Sequence, residues 1–276
     1  MPVLDAHTHV FPPEIIKKRE EVASRDRGFS IIYGRPKSKM IDGEGVRAYL
    51  DDQGLHGAVV MGFPFEDRGL IREANDYLLE IADRDHRIIP LVAVDRRDEA
   101  AAQAEAERCL RRGARGVGEL AYYDTGFSDR ERKGLEGLGR YLEEEGAALV
   151  LHLNEQVGHD YAGKMRVDFT AVVRFVEDHP GLNVILAHMG GGICFYEFMP
   201  EIRKVFSRVY YDLAAAPFLY SSDLYAFSAE FLASKVLFGS DYPLLSYARY
   251  KPQLEKVAEE ARRKILYENG RTIFGA

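Results

Sequence analysis

The chain has 276 residues, 46% hydrophobic content, a formal net charge of -7 and two cysteines. This length suits one large domain, and so few cysteines argue against a disulfide framework and favour a reducing cytoplasm. The acidic balance argues against nucleic acid as the main partner, because nucleic-acid binding usually needs a basic face. We also expect no secretory leader and no membrane span, because no apolar run has the required length and flanks.

Eight short apolar runs recur along the chain and predict β-strands. They are rich in Val, Ile and Leu without polar alternation, which is typical of parallel strands covered on both faces. In chain order they cover residues 3–9, 58–63, 88–94, 116–120, 148–154, 183–188, 209–213 and 236–240.

The segments between these runs predict helices, because their apolar residues recur at three- and four-residue spacing or because they end at glycine. They cover residues 45–53, 70–84, 99–112, 129–145, 167–178, 195–206, 222–233 and 252–274. Alternating strands and helices predict a single (β/α)8 TIM barrel over residues 1–276, with a doubly wound open sheet as the alternative. Residues 11–42 interrupt the rhythm and predict a loop insertion after the first strand, over the active-site face.

Asp5, His7 and His9 occupy alternate positions of the first predicted strand. Side chains at alternate positions of a strand point to the same face. Two imidazoles held this close together suit a divalent metal ion.

The other six histidines fall into two groups, according to the strand end near which each one lies. Active sites of (β/α)8 barrels lie at the C-terminal strand ends. His152 and His188 are at those ends of the fifth and sixth strands, and His159 follows the fifth strand. The remaining three precede strands, so we expect them to be ordinary surface or hydrogen-bonded residues: His56, His86 and His179.

Glu119 and Asp241 end the fourth and eighth apolar runs. An acidic side chain there is costly to bury unless it is paired or binds a metal ion. Taken singly, Asp241 could cap the next helix and Glu119 could pair with a loop arginine. Taken with four histidines at the same rim, they favour a metal site.

This pattern resembles the amidohydrolase superfamily of metal-dependent TIM-barrel hydrolases. Residues 186–191, with the sequence LAHMGG, and 238–243, with FGSDYP, resemble its amidohydrolase 2 group in particular. The C-terminal segment 265–275 also resembles the ends of those chains. The resemblance covers nearly the whole sequence.

The resemblance implies two alternative ligand sets. With two ions, His7, His9 and Asp241 would bind one, His152 and His188 the other, and Glu119 would bridge them, as in TatD-like nucleases. With one ion, the ligands would be His7, His9, His152 and Asp241, and His188 would polarise the substrate. The two-ion form is favoured, with zinc expected first and manganese, iron or cobalt as alternatives.

The expected activity is hydrolysis of a carboxylic ester, lactone or amide of a small anionic molecule by metal-activated water. Asp241 would move the proton, and His188 would assist catalysis. The alternatives are a metal-dependent decarboxylase of the same superfamily, a TatD-like phosphodiesterase or deoxyribonuclease, and a barrel that only binds a partner.

Aromatic and cationic residues in the catalytic-face loops suggest how a small carboxylate would bind. The selected substrate-binding candidates are Arg35, Phe65, Tyr122, His159, Arg166 and Tyr242. The same loops also carry Arg27, Tyr33, Lys37, Lys39, Phe63, Pro64, Tyr123 and Lys164. An arginine would hold the anion by paired hydrogen bonds. The sequence leaves the oligomeric state open, including a homo-oligomer.

Overall fold

The computed structural model describes residues 1–275 and shows eight parallel strands in one sheet. The strands are β1 (Leu4–His9), β2 (Gly57–Met61), β3 (Ile88–Val92), β4 (Gly116–Leu120), β5 (Ala148–Leu151), β6 (Asn183–Leu186), β7 (Val209–Asp212) and β8 (Val236–Leu237). Each strand pairs with its sequence neighbour. This order confirms the predicted (β/α)8 barrel, because a doubly wound sheet would reverse its strand order partway.

The seam between the first and last strands closes through backbone hydrogen bonds. Ala6 N donates to Phe238 O at 2.7 Å, and Asp241 N donates to His7 O at 2.9 Å. Beyond the two residues of β8, the chain therefore continues alongside β1 without forming a regular ladder. This is why β8 is shorter than the predicted strand 236–240.

Fifteen α-helices surround the sheet within residues 1–275. They are α1 (Pro13–Lys17), α2 (Arg19–Arg25), α3 (Arg27–Tyr33), α4 (Gly43–Gln53), α5 (Arg68–Arg84), α6 (Glu99–Leu110), α7 (Asp129–Lys133), α8 (Glu136–Glu144), α9 (Phe169–Asp178), α10 (Pro200–Val205), α11 (Ala216–Leu219), α12 (Asp223–Phe231), α13 (Tyr247–Leu254), α14 (Glu259–Arg263) and α15 (Asn269–Phe274). Short 3₁₀ segments cover His188–Phe198 and Phe206–Arg208, and a π-helical turn covers Lys264–Glu268. No helix in this described part of the chain is long and apolar enough to cross a membrane.

Aspartate side chains fix where several barrel helices begin. Asp67 accepts a hydrogen bond from Leu70 N before α5, and Asp98 accepts one from Ala101 N before α6. These contacts satisfy backbone donors that the first helical turn leaves free. They explain why the helix positions follow from local sequence.

Three predicted helices differ from the structure. The predicted helix 129–145 divides into α7 and α8, and 252–274 divides among α13, α14, the π turn and α15. In 195–206 the helix begins only at Pro200, because proline fits the first helical turn and the preceding residues form 3₁₀ turns.

The segment 11–42 contains the short helices α1, α2 and α3 rather than a loop. Its apolar side chains form a cluster with residues that follow β2 and β3, and Phe29 and Phe65 lie fully buried in it. The ring centroids of these two residues lie 5.5 Å apart. Packing of this cluster places the segment beside the C-terminal strand ends.

Candidate metal centre and active-site cavity

Six predicted ligand residues meet at the C-terminal mouth of the barrel. They form two groups whose donor atoms lie close together, the first being His7, His9 and Asp241 and the second Glu119, His152 and His188. In the first group, His9 Nε2 lies 3.1 Å from His7 Nε2 and 3.3 Å from Asp241 Oδ1. In the second, His152 Nδ1 lies 2.9 Å from Glu119 Oε1 and 3.1 Å from His188 Nε2.

Glu119 joins the two groups, because its two oxygens face different histidines. Oε2 lies 3.7 Å from His7 Nε2 and 3.8 Å from His9 Nε2, whereas Oε1 faces His152 and His188 at 2.9 and 3.4 Å. Ligand atoms about 2.1 Å from one ion lie about 3.0 to 4.2 Å from one another. The distances from Glu119 to the histidines of both groups therefore mostly fall within the range expected of ligands that share a metal ion.

Hydrogen bonds on the far side of three imidazoles set their tautomers. His7 Nδ1 donates to Asp212 Oδ2 at 2.8 Å, and His188 Nδ1 donates to the Ala214 carbonyl at 2.9 Å. His152 Nε2 donates to the Gly163 carbonyl at 3.1 Å. The other nitrogen of each neutral ring therefore presents a lone pair to the cluster, where neighbouring carboxylate oxygens also present lone pairs. Such an arrangement requires a cation or additional protons.

The pKa shifts of His7, His188 and Glu119 also indicate that the cluster favours positive charge. Burial alone would lower the pKa of His7, but Asp212 and Glu119 raise it well above its usual value. For His188, burial again opposes the change, and Glu119 raises the pKa to about 9. Burial would raise the pKa of Glu119, but the surrounding histidines hold it well below its usual range. The nitrogen and carboxylate donor set fits a divalent zinc, manganese, iron or cobalt ion.

The backbone is left-handed at two of these residues. His188 has φ +56° and Asp241 has φ +63°, a conformation that non-glycine residues adopt at an energetic cost. The left-handed turn continues from His188 to Gly192. At Gly191 an added Cβ would lie 2.2 Å from the Asn154 backbone, so this close approach needs glycine.

Asp5 and Asp212 are buried carboxylates that form hydrogen bonds with His7. Asp5 is buried and accepts hydrogen bonds from His7 N, Ser240 N and Tyr49 OH, which tie β1 to the chain after β8. Burial raises the pKa of Asp5 to about 6. Asp212 is also buried and contacts His7. Asp212 was not predicted from the sequence. It is the last residue of β7, and Glu119 occupies a similar position near the end of β4.

A cavity of about 500 Å³ opens directly above the cluster. Its walls include apolar and aromatic side chains from the segment before α4, from the loops after β2, β4, β5, β7 and β8, and from α11, among them Tyr33, Phe63, Tyr123, Tyr161, Phe218, Leu219 and Leu244. Lys39 and His159 supply polar groups. Within residues 1–275, no arginine side chain lines this cavity.

Of the six selected substrate-binding candidates, only His159 lies in the cavity wall. Arg35 and Arg166 are exposed outside it. Phe65 and Tyr122 are buried in side-chain packing, and Tyr242 stacks on Tyr49 with ring centroids 3.8 Å apart. The structure therefore brings the predicted ligands together and leaves most of the predicted substrate contacts outside the cavity.

Tyr33 and Tyr123 both lie in the cavity wall. Burial raises the pKa of Tyr33, and the negative charges of Asp241 and Glu119 raise it further. The pKa of Tyr123 is raised by the same influences. Both phenols therefore carry their protons at neutral pH.

The solved structures of similar fold include decarboxylases of aromatic acids. The 5-carboxyvanillate decarboxylase from Sphingomonas paucimobilis has 18% identity and a TM-score of 0.81, with 99% of each chain covered. The 2,6-dihydroxybenzoate decarboxylase from Rhizobium has 18% identity and a TM-score of 0.73, covering 100% of this chain and 99% of that one.

A third similar structure contains a metal ion. It is the 5-carboxyvanillate decarboxylase from Novosphingobium aromaticivorans, complexed with manganese and 4-hydroxy-3-methoxy-5-nitrobenzoic acid. It has 16% identity and a TM-score of 0.79, with 100% of this chain and 96% of that chain covered. These similar proteins are decarboxylases, which is the alternative expected from the sequence, and the third one contains manganese.

Among curated proteins, none matches the chain. A family model described as amidohydrolase, of the amidohydrolase 2 group, matches residues 4–276. The match spans almost the entire sequence and agrees with the resemblance in the strand-end motifs. The chain therefore belongs to the amidohydrolase 2 family.

Proposed function

We propose that this protein is a metal-dependent decarboxylase of a small hydroxylated aromatic carboxylic acid. The observation that carries the proposal is an aromatic cavity, lined by no arginine among residues 1–275, directly above a buried cluster of metal-type ligands. The volume of about 500 Å³ lies within the usual range for small-molecule sites, about 300 to 1,000 Å³. The full-length similarity to decarboxylases of aromatic acids supports the same conclusion.

The charges around the cavity suit loss of a carboxylate. When a carboxylate leaves as carbon dioxide, its negative charge moves to the rest of the molecule. A guanidinium paired with that carboxylate would stabilise the starting acid more than the transition state, which would slow the reaction. Aromatic walls around Tyr33, Phe63 and Tyr123 instead remove water and accept a planar ring.

The six clustered residues would hold the metal, and Glu119 would bridge two ions. Its two oxygens face separate histidine pairs, which supports this arrangement over the single-ion set. The bound metal would supply positive charge that holds and polarises substrate oxygens. Manganese is the first ion to test because a similar enzyme contains it.

Burial would raise the pKa of Asp241, but His9 and His7 lower it, so the carboxylate is ionised before substrate binds. Asp241 would therefore take the proton of the substrate's ring hydroxyl and deliver it to the ring carbon that loses the carboxylate. Its side chain is 18% exposed at the cavity floor, and Oδ1 lies 3.3 Å from His9 Nε2. The proton would add to the ring carbon that bears the carboxylate. The bond from that carbon to the carboxyl carbon would then break, its electron pair would restore the aromatic ring, and carbon dioxide would leave. On release of the product, water would return a proton to its ring oxygen. In the single-ion alternative, His188 would not bind the metal and would instead orient a substrate oxygen.

The test uses protein stripped of metal and reloaded with manganese or zinc. We expect carbon dioxide release from 2,6-dihydroxybenzoate or 5-carboxyvanillate, and none from benzoate, which lacks the ring hydroxyl that helps carry negative charge. Metal-loaded protein that releases none from a panel of hydroxylated aromatic acids would contradict the proposal.

Hydrolysis is the second candidate, and the placement of Glu119 favours it, because a bridging carboxylate suits two-metal activation of water. The same metal-loaded preparations would be tested with esters, lactones, amides and phosphodiesters. Turnover of one of these classes, without carbon dioxide release from the acids, would favour hydrolysis over decarboxylation.

A further inference from the structure

Some polar groups in the cavity wall already form hydrogen bonds within the protein, and others do not. Tyr161 OH donates to Glu155 Oε2 at 3.1 Å, and Ser38 Oγ donates to the Ile32 carbonyl at 2.7 Å. Lys39 is exposed, and its ammonium lies 3.4 Å from the Leu244 carbonyl. These donors are engaged with neighbouring residues or lie at the solvent side.

Tyr33 and Tyr123 are different. Within the described residues 1–275, neither hydroxyl makes a hydrogen bond to the protein, and both side chains line the cavity. The Tyr123 ring lies edge-on to the His152 ring with centroids 5.2 Å apart, and Phe63 packs against both tyrosines, so the pair lies beside the metal-type ligands. Two side chains with uncommitted hydroxyl donors therefore line the same cavity from different parts of the chain, α3 and the loop after β4.

Aromatic packing holds the two rings in place. Phe63 lies edge-on to Tyr33 with centroids 5.7 Å apart and is nearly parallel to Tyr123, 6.1 Å away. Phe11 also packs edge-on against Tyr33 at 4.7 Å. Because these contacts restrict the rings before any ligand binds, the hydroxyls lose little freedom on binding.

We propose that the hydroxyl groups of Tyr33 and Tyr123 form a paired donor site that binds an oxyanion of the substrate beside the metal cluster. This inference rests on the proposed function in taking the ligand to be a hydroxylated aromatic acid. The oxyanion is either the carboxylate or the ring phenolate, and the two share this recognition chemistry. Selectivity would then come from neutral donors on the cavity wall rather than from the arginines expected from the sequence.

The experiment measures binding to manganese-loaded protein, so that it does not depend on turnover. The parent probe is 4-hydroxy-3-methoxy-5-nitrobenzoate, whose nitrophenol absorbance reports the state of its ring oxygen. One truncated probe, 2-methoxy-6-nitrophenol, lacks the carboxylate. The other, 3-methoxy-5-nitrobenzoate, lacks the ring hydroxyl.

The variants are Tyr33→Phe, Tyr123→Phe and the matched control Tyr141→Phe, a tyrosine on α8 away from the cavity. Each change keeps the ring and removes one hydroxyl. Because a hydrogen bond to a charged group is worth about 1.5 to 3 kcal/mol, each cavity variant should raise the parent probe's Kd about tenfold or more. The control should leave the Kd unchanged. Metal content and thermal unfolding midpoint are measured for every variant.

The truncated probes identify the oxyanion. A loss confined to the nitrophenol assigns the pair to the ring oxygen, and a loss confined to the nitrobenzoate assigns it to the carboxylate. Equal Kd values for wild type and both cavity variants, an equal loss in the control, or no binding of the probes to wild type would overturn the inference. Carbon dioxide release is measured separately, so failure of the decarboxylase proposal is distinguishable from failure of the hydroxyl pair.

Discussion

Replacing Asp212 with asparagine should weaken metal binding without changing the shape of the site. Asp212 Oδ2 accepts the Nδ1 proton of His7 at 2.8 Å. Its Oδ1 accepts from the backbone N–H groups of His188 at 2.9 Å and Ala214 at 3.0 Å. An asparagine of nearly the same size can place its oxygen toward only one of these two sets.

The magnitude follows from the two orientations of the amide. If the amide nitrogen faces the backbone, two buried N–H groups lose their acceptor, at a cost of about 1 to 3 kcal/mol each. If it faces His7, only one contact is mismatched, so this orientation should prevail. The imidazole must then accept at Nδ1 and carry its proton at Nε2, which removes the lone pair needed by a metal. Loss of such a partner typically weakens metal binding about 10- to 100-fold.

The assay is manganese or zinc affinity by competition with a chromophoric chelator. The matched control is Asp85→Asn, which alters a buried carboxylate that accepts from Arg87 at the opposite end of the barrel. The control should lose stability but keep its metal affinity. If Asp212→Asn binds the ion as tightly as wild type, the proposed dependence on the His7 tautomer is wrong.

Three further outcomes are expected. Asp241→Asn should keep the fold, because asparagine tolerates the φ of +63°, but should lower kcat for carbon dioxide release about 10²- to 10⁴-fold; near-normal turnover would contradict its role. Gly163 has φ +96°, an added Cβ there would lie 3.2 Å from Ile32, and its carbonyl accepts from His152, so Gly163→Ala should lower both the unfolding midpoint and the metal affinity. In the control Gly158→Ala the added Cβ meets nothing, so only the unfolding midpoint should fall. Burial lowers the pKa of His179, so the unfolded chain takes up a proton first as pH falls below about 6.5 and stability is lost there. Urea unfolding at several pH values should show a smaller loss in His179→Leu, and an unchanged pH profile would argue against this origin.

The strand-end residues could be predicted from sequence because a parallel barrel makes position along a strand equivalent to position in space. His152 and His188 are far apart in the chain, yet β5 and β6 are neighbours and bring their nitrogens within 3.1 Å. Asp212, the last residue of β7, follows the same rule, although it was not predicted from the sequence. Its role depends on contacts with His7 that no sequence spacing reveals.

The cavity walls could not be predicted in the same way, because loop side chains have no fixed direction. Arg35 and Tyr33 are two residues apart, but the end of α3 turns one toward solvent and the other into the cavity. Tyr122 and Tyr123 likewise point to different surroundings. Chemical type alone therefore favoured arginines that the tertiary packing directs away.

The seam between β1 and β8 has a consequence for the order of events during synthesis. His7 and His9 emerge with the first strand, whereas Asp241 follows the last one, and its backbone N–H reaches the carbonyl of His7 only when the barrel is closed. The proposed ion-binding group of His7, His9 and Asp241 therefore cannot be completed on a nascent chain that lacks β8. Its assembly would serve as a marker of a finished barrel, and any fragment ending before Asp241 would lack it.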